Sequence, residues 1–232
     1  MFNLKIPEEA VVINEGDSFK TVLSKYGALA LDKQENLSEL IGNEEGSLDL
    51  ENATITFNNI TLPIQVIGYY REDIQQWVWA WDSEDLFGDD LIKAAKEMKQ
   101  AGIDAGIPEF SNAIIQADFN ACHTLAMTTT SIIDLDAYYA VNEEGLDIFV
   151  GINKGNVPEI NSVEKFRDTY YTFQKNFDVY EKLAFKSYTK LKGYKYKEKE
   201  DFSVAYLGES RIIVGFTERG NTTHIQMLLE DE

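Results

Sequence analysis

The sequence has few of the residues that build metal centres and redox sites. Among its 232 residues there is one cysteine, Cys122, and there are two histidines, His123 and His224. One cysteine excludes an intramolecular disulfide, and two histidines are too few for a multi-histidine zinc site. Glycine-rich phosphate loops, nucleophile elbows and zinc motifs are also missing. We therefore expect neither a cofactor nor a bound metal.

Long apolar runs are missing as well. No run of eighteen apolar residues occurs. The first residues, MFNLKIPEEAVVINEGD, have neither the basic region nor the continuous apolar stretch of a secretory signal. These absences predict a cytoplasmic protein with no membrane partner.

Basic residues are scarce in one part of the chain. The sequence has 40 acids and 21 bases, and its formal net charge is −19. Residues 1–152 contain 27 acids and 8 bases, a net charge of 8 − 27 = −19, whereas residues 153–232 contain 13 of each. Such a field repels nucleic acids and favours either solubility or a basic partner. We expect no nucleic acid partner.

Periodicity predicts an α+β fold. Residues 17–42 have helical spacing and end at Gly42. The following alternation of branched and aromatic residues predicts an antiparallel meander, with turns at Asn58-Asn59 and Glu72-Asp73. Residues 89–101 and 111–128 are predicted helices, and a hairpin of IIDLDAYYAV and LDIFVGI follows them.

The carboxy-terminal region repeats this plan of a helix followed by strands. A helix starting near Ser162 would extend for about 40 Å at 1.5 Å per residue. Its aromatic stripe predicts core packing. Three short strands follow: DFSVAYL, RIIVGF and HIQMLL. We predict antiparallel meander sheets, each covered by a long helix, with domains at 1–152 and 162–232 and a linker at 153–161.

A short internal similarity raises the question of duplication. VIGYYRED at residues 66–73 and IVGFTERG at residues 213–220 share two branched apolar residues, a glycine and an aromatic residue. Matches this short also arise by chance, so two related halves remain one of two interpretations.

The most distinctive segment is QQWVWAWDSEDLFGDD, residues 75–90. On a strand, alternate residues share a face, so Trp77, Trp79 and Trp81 would form one indole surface. Burial in the core is the favoured interpretation, because the other face would offer only a valine and an alanine. The alternative is a ligand pocket between sheet and helix, lined by these tryptophans with Tyr69 and Tyr138.

Two clusters of charge are candidate partner-binding sites. The acids Asp82, Glu84 and Asp85 lack the spacing of a calcium loop and suit a helix start on a negative surface. The opposite charge concentrates in a lysine and tyrosine segment that includes Lys192, Lys195 and Lys197. Docking of this segment against acidic surface is favoured over nucleic acid binding.

Catalytic arrangements are not supported by spacing. Cys122 and His123 are adjacent on a predicted helix, so their side chains diverge by about 100° and cannot form a nucleophile and base pair. The many acids offer carboxylate pairs, but their abundance singles out none.

The run IQVIGYYREDIQQWVWAWDSED, followed by a helical region and AYYAVNEEGLDIFVGI, resembles an uncharacterised microbial family known only as a domain of unknown function. The resemblance covers about residues 17–152 and rests on a W-x-W-x-W strand. Asp82 departs from the asparagine that the family usually has after the third tryptophan. The resemblance implies no catalytic residue and no substrate.

Three functions remain open from the sequence. The first is a non-enzymatic binding protein whose acidic part binds a basic protein, or the lysine-rich segment of another copy in a homo-oligomer. The second is a small-ligand protein that uses the aromatic pocket. The third is a hydrolase that uses a carboxylate pair.

Overall fold

The computed structural model describes residues 10–143 and 145–229. They divide into two compact units. The larger unit contains residues 15–19 and 30–160, and the smaller unit contains residues 10–14, 20–29 and 161–229. The linker at residues 153–161 stays a prediction.

The first predicted helix is confirmed as α1, Phe19–Ile41. It ends before Gly42, whose φ of +61° is the left-handed conformation that glycine adopts readily at a helix end. Residues 20–29 of α1 belong to the smaller unit and residues 30–41 to the larger unit.

The larger unit is built on a seven-stranded antiparallel sheet. Its order is β1-β2-β3-β4-β5, and a further hairpin, β6-β7, joins the sheet where β7 pairs with β3. The strands are β1 Gly46–Asp49, β2 Thr54–Phe57, β3 Ile60–Arg71, β4 Gln76–Trp79, β5 Ile114–Gln116, β6 Ala137–Glu143 and β7 Leu146–Ile152. The helices are α2 Glu84–Phe87, α3 Lys93–Ala105, α4 Pro108–Ser111 and α5 Phe119–Ile132.

Two predictions within this unit are wrong. The strand with the tryptophans ends at Trp79, and a 3-10 helix, Ala80–Asp82, follows it, so Trp81 does not continue the strand face. The helix predicted over residues 111–128 starts only at Phe119, where Asp118 caps it by accepting a hydrogen bond from the backbone N–H of Ala121. The residues before it form β5 because they pair with β4.

The smaller unit contains a four-stranded antiparallel sheet of order β11-β10-β9-β8. The three predicted strands are present, and a fourth forms in the lysine-rich segment. These elements are α6 Val163–Asn176, α7 Glu181–Leu191, β8 Lys195–Glu198, β9 Phe202–Leu207, β10 Ser210–Phe216 and β11 Thr222–Leu228. The structure confirms the α+β class with antiparallel sheets.

The single 40 Å helix predicted for this unit is wrong. The chain leaves the helix at Phe177, whose φ of −121° and ψ of 141° are extended. Contacts outside the helix hold this break. The backbone N–H of Tyr180 donates to Ser24 Oγ at 2.9 Å, and Lys20 forms an ion pair with Asp178 at 2.5 Å. Tertiary contacts have therefore overridden a continuous helical pattern.

The aromatic stripe nevertheless forms core. Phe166, Tyr170, Phe173 and Tyr188 are all at most 2% exposed. Phe166 stacks on Tyr188 with ring centroids 4.4 Å apart. The stripe thus packs the unit although two helices, rather than one, carry it.

Candidate functional site

The first two tryptophans belong to the core. Trp77 and Trp79 are 0% exposed, and their rings meet edge to face at 5.3 Å. The indole N–H of Trp79 donates to the carbonyl oxygen of Glu109 at 3.0 Å. Gly68 gives Trp77 its space, since a Cβ there would lie 2.5 Å from the indole Cζ2. These two residues stabilise the sheet.

Tyr138 belongs to the same aromatic cluster as Trp77, because Phe149 contacts both rings. Its hydroxyl is 2.9 Å from Nδ1 of His123, and its ring stacks on Phe149. Burial raises the pKa of Tyr138 to about 12 and lowers the pKa of His123. Cys122, the residue before His123, is fully buried, and burial raises the pKa of its thiol to about 12. The thiol is therefore protonated and unreactive at neutral pH.

Trp81 differs from the other tryptophans because it is only half-buried. The Lys99 ammonium lies 3.9 Å from its ring centroid, a cation–π contact. Trp81 also lines a surface hollow of about 490 Å³, and the rest of this lining is Asp82, Ser83, Glu84, Asp85 and Leu86. We name it the acidic hollow. It brings together the three predicted partner-binding acids and one of the five predicted ligand-binding residues.

A second hollow of about 320 Å³ shares Leu86 with the first. Its walls are almost entirely apolar, and it is lined by Leu48, Leu50, Leu86, Phe87, Glu143, Leu146 and Ile148. We name it the apolar hollow. Leu86 itself is 58% exposed and borders both concave surfaces.

The short helix α2 holds Leu86 in place. The Tyr69 hydroxyl lies 3.1 Å from Ser83 Oγ, just before the helix. Phe87, the residue after Leu86, is 7% exposed and packs against the Tyr69 ring at 6.0 Å. Tyr69, one of the predicted ligand-binding residues, thus holds the two ends of α2 through Ser83 and Phe87. Anchored on one side, α2 directs Leu86 outward.

Lys96 of α3 forms ion pairs with α2 and with the residues that follow it. Lys96 Nζ donates to Glu84 Oε2 at 2.9 Å and also contacts Asp89. The Lys96 hydrogen bond lowers the pKa of Asp89, and the two carboxylates raise the pKa of Lys96. In contrast, Asp82 and Asp85 form no ion pair with any residue that the structure describes. Their charges face the hollow uncompensated.

The three predicted lysines lie in the smaller unit and do not share one environment. Lys195 and Lys197 are exposed on β8, and their ammonium groups lie 5.8 and 5.5 Å from the Tyr206 ring centroid. Lys192 is half-buried and follows the end of α7. The structure therefore brings Lys195 and Lys197 together and leaves Lys192 apart.

The sequence patterns did not predict the apolar half of the site. Leu86 and Phe87 interrupt a run of acids, which is the one local signal that could have singled them out. The other apolar walls come from β1 and β7, far apart in sequence. Only the pairing of the sheet brings them together.

The described residues contain no group of three or more His, Cys, Asp or Glu side chains arranged to hold a metal ion. Within the same part of the chain, no helix has the length and apolar character needed to cross a membrane.

Comparison with known proteins gives one match. The sequence model of a family of unknown function, DUF6882, matches residues 20–154. No curated protein and no solved structure matches the chain.

Proposed function

Because the chain belongs to the DUF6882 family of unknown function, we propose its role from the geometry of its own surface: it is a non-enzymatic binding protein that holds a basic, amphipathic segment of a partner protein. The acidic hollow and the apolar hollow form the binding site. The observation that carries this proposal is the position of Leu86, 58% exposed between the two hollows.

The apolar hollow supplies affinity. Covering an exposed leucine removes its side chain from water, which contributes roughly 1.5 to 3 kcal/mol for full burial. The neighbouring Leu48, Leu50 and Leu146 extend the same surface. A segment with one or two large apolar side chains would fill a hollow of about 320 Å³.

The acidic hollow supplies selectivity for positive charge. Asp82 and Asp85 carry charges that no described residue neutralises, and Glu143 borders the apolar hollow. Residues 1–152 contribute the entire net charge of −19. At the two hollows, such a field raises the association rate of a basic partner and disfavours an acidic one.

We also propose a cytoplasmic location. The chain has a single cysteine and so no intramolecular disulfide, which suits a compartment where thiols stay reduced.

A labelled peptide tests the proposal. The probe is a fluorescein-labelled dodecapeptide of alternating lysine and leucine, and fluorescence anisotropy measures its affinity for the full chain. Leu86→Gln should weaken binding by about tenfold, because it removes the central apolar contact. Ile103→Gln is the matched control, since Ile103 is 53% exposed on α3 and lines neither hollow.

Charge is tested separately. Asp82→Asn combined with Asp85→Asn should weaken peptide binding at about 50 mM salt. The affinity of this variant should also fall less than that of the wild type when the salt is raised to about 300 mM. Glu97→Gln with Asp104→Asn removes the same number of charges away from the hollows and should leave affinity within about twofold. Equal effects of the two double variants would show that net charge alone attracts the peptide and would overturn the proposed site.

A further inference from the structure

One face of the four-stranded sheet in the smaller unit carries charge of a single sign. Residues opposite each other in an antiparallel pair point to the same face. Tyr206 of β9 is opposite Lys195 of β8 and opposite Arg211 of β10, so these three side chains lie in one row. Lys197 follows Lys195 on the same face. None of the described strands β8 to β11 places an acidic residue at an outward position in this register.

The opposite face of the sheet is core. Ala205, Ile212 and Val214 are 0% exposed, and Phe185 of α7 packs against Phe216 at 6.3 Å. The outward face is different, because Phe202 and Leu228 remain 39% and 40% exposed there. A cationic row with an exposed apolar side chain at each end of the same face is a candidate interaction surface.

Tyr206 is the centre of the cationic row. The ammonium groups of Lys195 and Lys197 lie 5.8 and 5.5 Å from its ring centroid, and the Arg211 guanidinium lies at 5.6 Å. The negative face of the ring attracts each of these cations. The ring offsets part of the repulsion among three like charges but neutralises none of them.

None of these three cations has a carboxylate partner among the described residues. Lys182 and Lys186 give the contrast, because both pair with Glu198 on the side of the sheet that faces α7. A chain with 40 acids and 21 bases therefore leaves three adjacent cations uncompensated on one exposed face.

We propose that this outward face, which we name the Tyr206 face, binds an acidic polypeptide segment of another protein. Carboxylates of the segment pair with Lys195, Lys197 and Arg211, and its apolar side chains cover Phe202 and Leu228. The Tyr206 face is independent of the Leu86 site and has the opposite charge preference. The chain then has two binding surfaces, one for a basic segment and one for an acidic segment.

Charge favours an acidic polypeptide over a nucleic acid. A nucleic acid carries one phosphate per nucleotide along its whole length, and the row supplies cations for about three of them. The remaining phosphates would experience the repulsion of a chain with a net charge of −19, and a segment with only a few carboxylates experiences less of this repulsion. An acidic segment brings a few carboxylates together with apolar side chains, which matches the composition of the face.

Anisotropy with three labelled probes and the full chain tests this proposal. The probes are a dodecapeptide of alternating glutamate and leucine, its lysine and leucine counterpart, and a single-stranded oligothymidylate of equal length. We expect the Glu-Leu peptide to bind, with affinity that falls as salt rises. Lys195→Glu with Lys197→Glu should weaken this binding by at least about tenfold.

The control variant is Lys165→Glu with Lys175→Glu on α6, which changes the net charge as much as the Lys195 and Lys197 variant does. Its affinity for the Glu-Leu peptide should stay within about twofold of the wild type. Arg211→Gln introduces no acid and should also weaken binding, and circular dichroism checks that each variant is folded. Equal losses in the control, or no binding of the Glu-Leu peptide at low salt, would overturn the proposal. So would tighter binding of oligothymidylate with the same dependence on Lys195 and Lys197, because the face would then bind nucleic acid.

Discussion

The hydroxyl of Tyr69 lies 3.1 Å from the Oγ of Ser83, and this hydrogen bond joins β3 to the start of the helix that carries Leu86. The bond is part-buried, and Phe87 packs on the same tyrosine ring. The exposed position of Leu86 therefore depends on the contacts that Ser83 and Phe87 make with Tyr69.

Removing that hydrogen bond should loosen the helix. Tyr69→Phe should lower the free energy of unfolding by about 1 kcal/mol and should weaken binding of the Lys-Leu peptide by less than Leu86→Gln does. Ser83→Ala deletes the same bond, so the double variant should be little less stable than either single one. Additive losses in urea unfolding would show that Tyr69 and Ser83 act independently.

Gly68 should tolerate no side chain. Gly68→Ala places a Cβ 2.5 Å from Trp77 and 2.6 Å from the carbonyl oxygen of Val78. We expect a loss of about 2 kcal/mol or more in the free energy of unfolding. Gly42→Ala is the comparison, since its added Cβ meets open space and costs about 1 kcal/mol for the positive φ. A smaller loss at Gly68 than at Gly42 would contradict the packing.

Cys122 should make the fold sensitive to alkali. Burial raises the pKa of its thiol from 9.0 to about 12, so the unfolded chain releases this proton at a lower pH than the folded chain. The stability that the thiol contributes is complete below pH 9 and is lost as the pH rises towards about 12. Urea midpoints should fall less steeply across this range in Cys122→Ala than in the wild type. If the urea midpoints of the two proteins fell equally steeply with pH, the raised pKa of the Cys122 thiol would be contradicted.

Trp81 should dominate the fluorescence that solvent can reach. Trp77 and Trp79 are 0% exposed, whereas Trp81 is half-buried and borders an acidic hollow that attracts cations. Caesium ions should therefore quench the wild type and have much less effect on Trp81→Phe. Binding of the Lys-Leu peptide should protect the wild type from this quenching. Quenching that survives in Trp81→Phe would place the accessible indole elsewhere.

Local sequence patterns predicted the elements whose stability is local. The first helix ends at Gly42 as its backbone preference indicates, and the three last strands follow their alternation. Most of the aromatic stripe was recognised as core because its residues share one face within each of the two helices, whereas Tyr180 at the break is 52% exposed. Such features depend on residues close together in the chain.

The features that the sequence did not predict depend on contacts between residues far apart in the chain. The break at Phe177 depends on contacts with Ser24 and Lys20, more than one hundred and fifty residues away. β4 ends at Trp79 and the 3-10 helix Ala80–Asp82 follows it, so Trp81 lies outside the strand. The Leu86 site needs residues of β1 and β7 beside α2, and no spacing in the sequence connects them. The sequence therefore singled out the acids of the acidic hollow but did not predict the apolar hollow.

Methyl NMR of the isotopically labelled chain tests the Leu86 site most directly. On addition of the Lys-Leu peptide, we expect shifts concentrated on the methyl groups of Leu48, Leu86, Leu146 and Ile148, together with the indole signal of Trp81. The Asp82→Asn and Asp85→Asn variant should show the same pattern at higher peptide concentration. Shifts that leave Leu86 unmoved, or that are spread evenly over the exposed leucines, would contradict the proposed binding site.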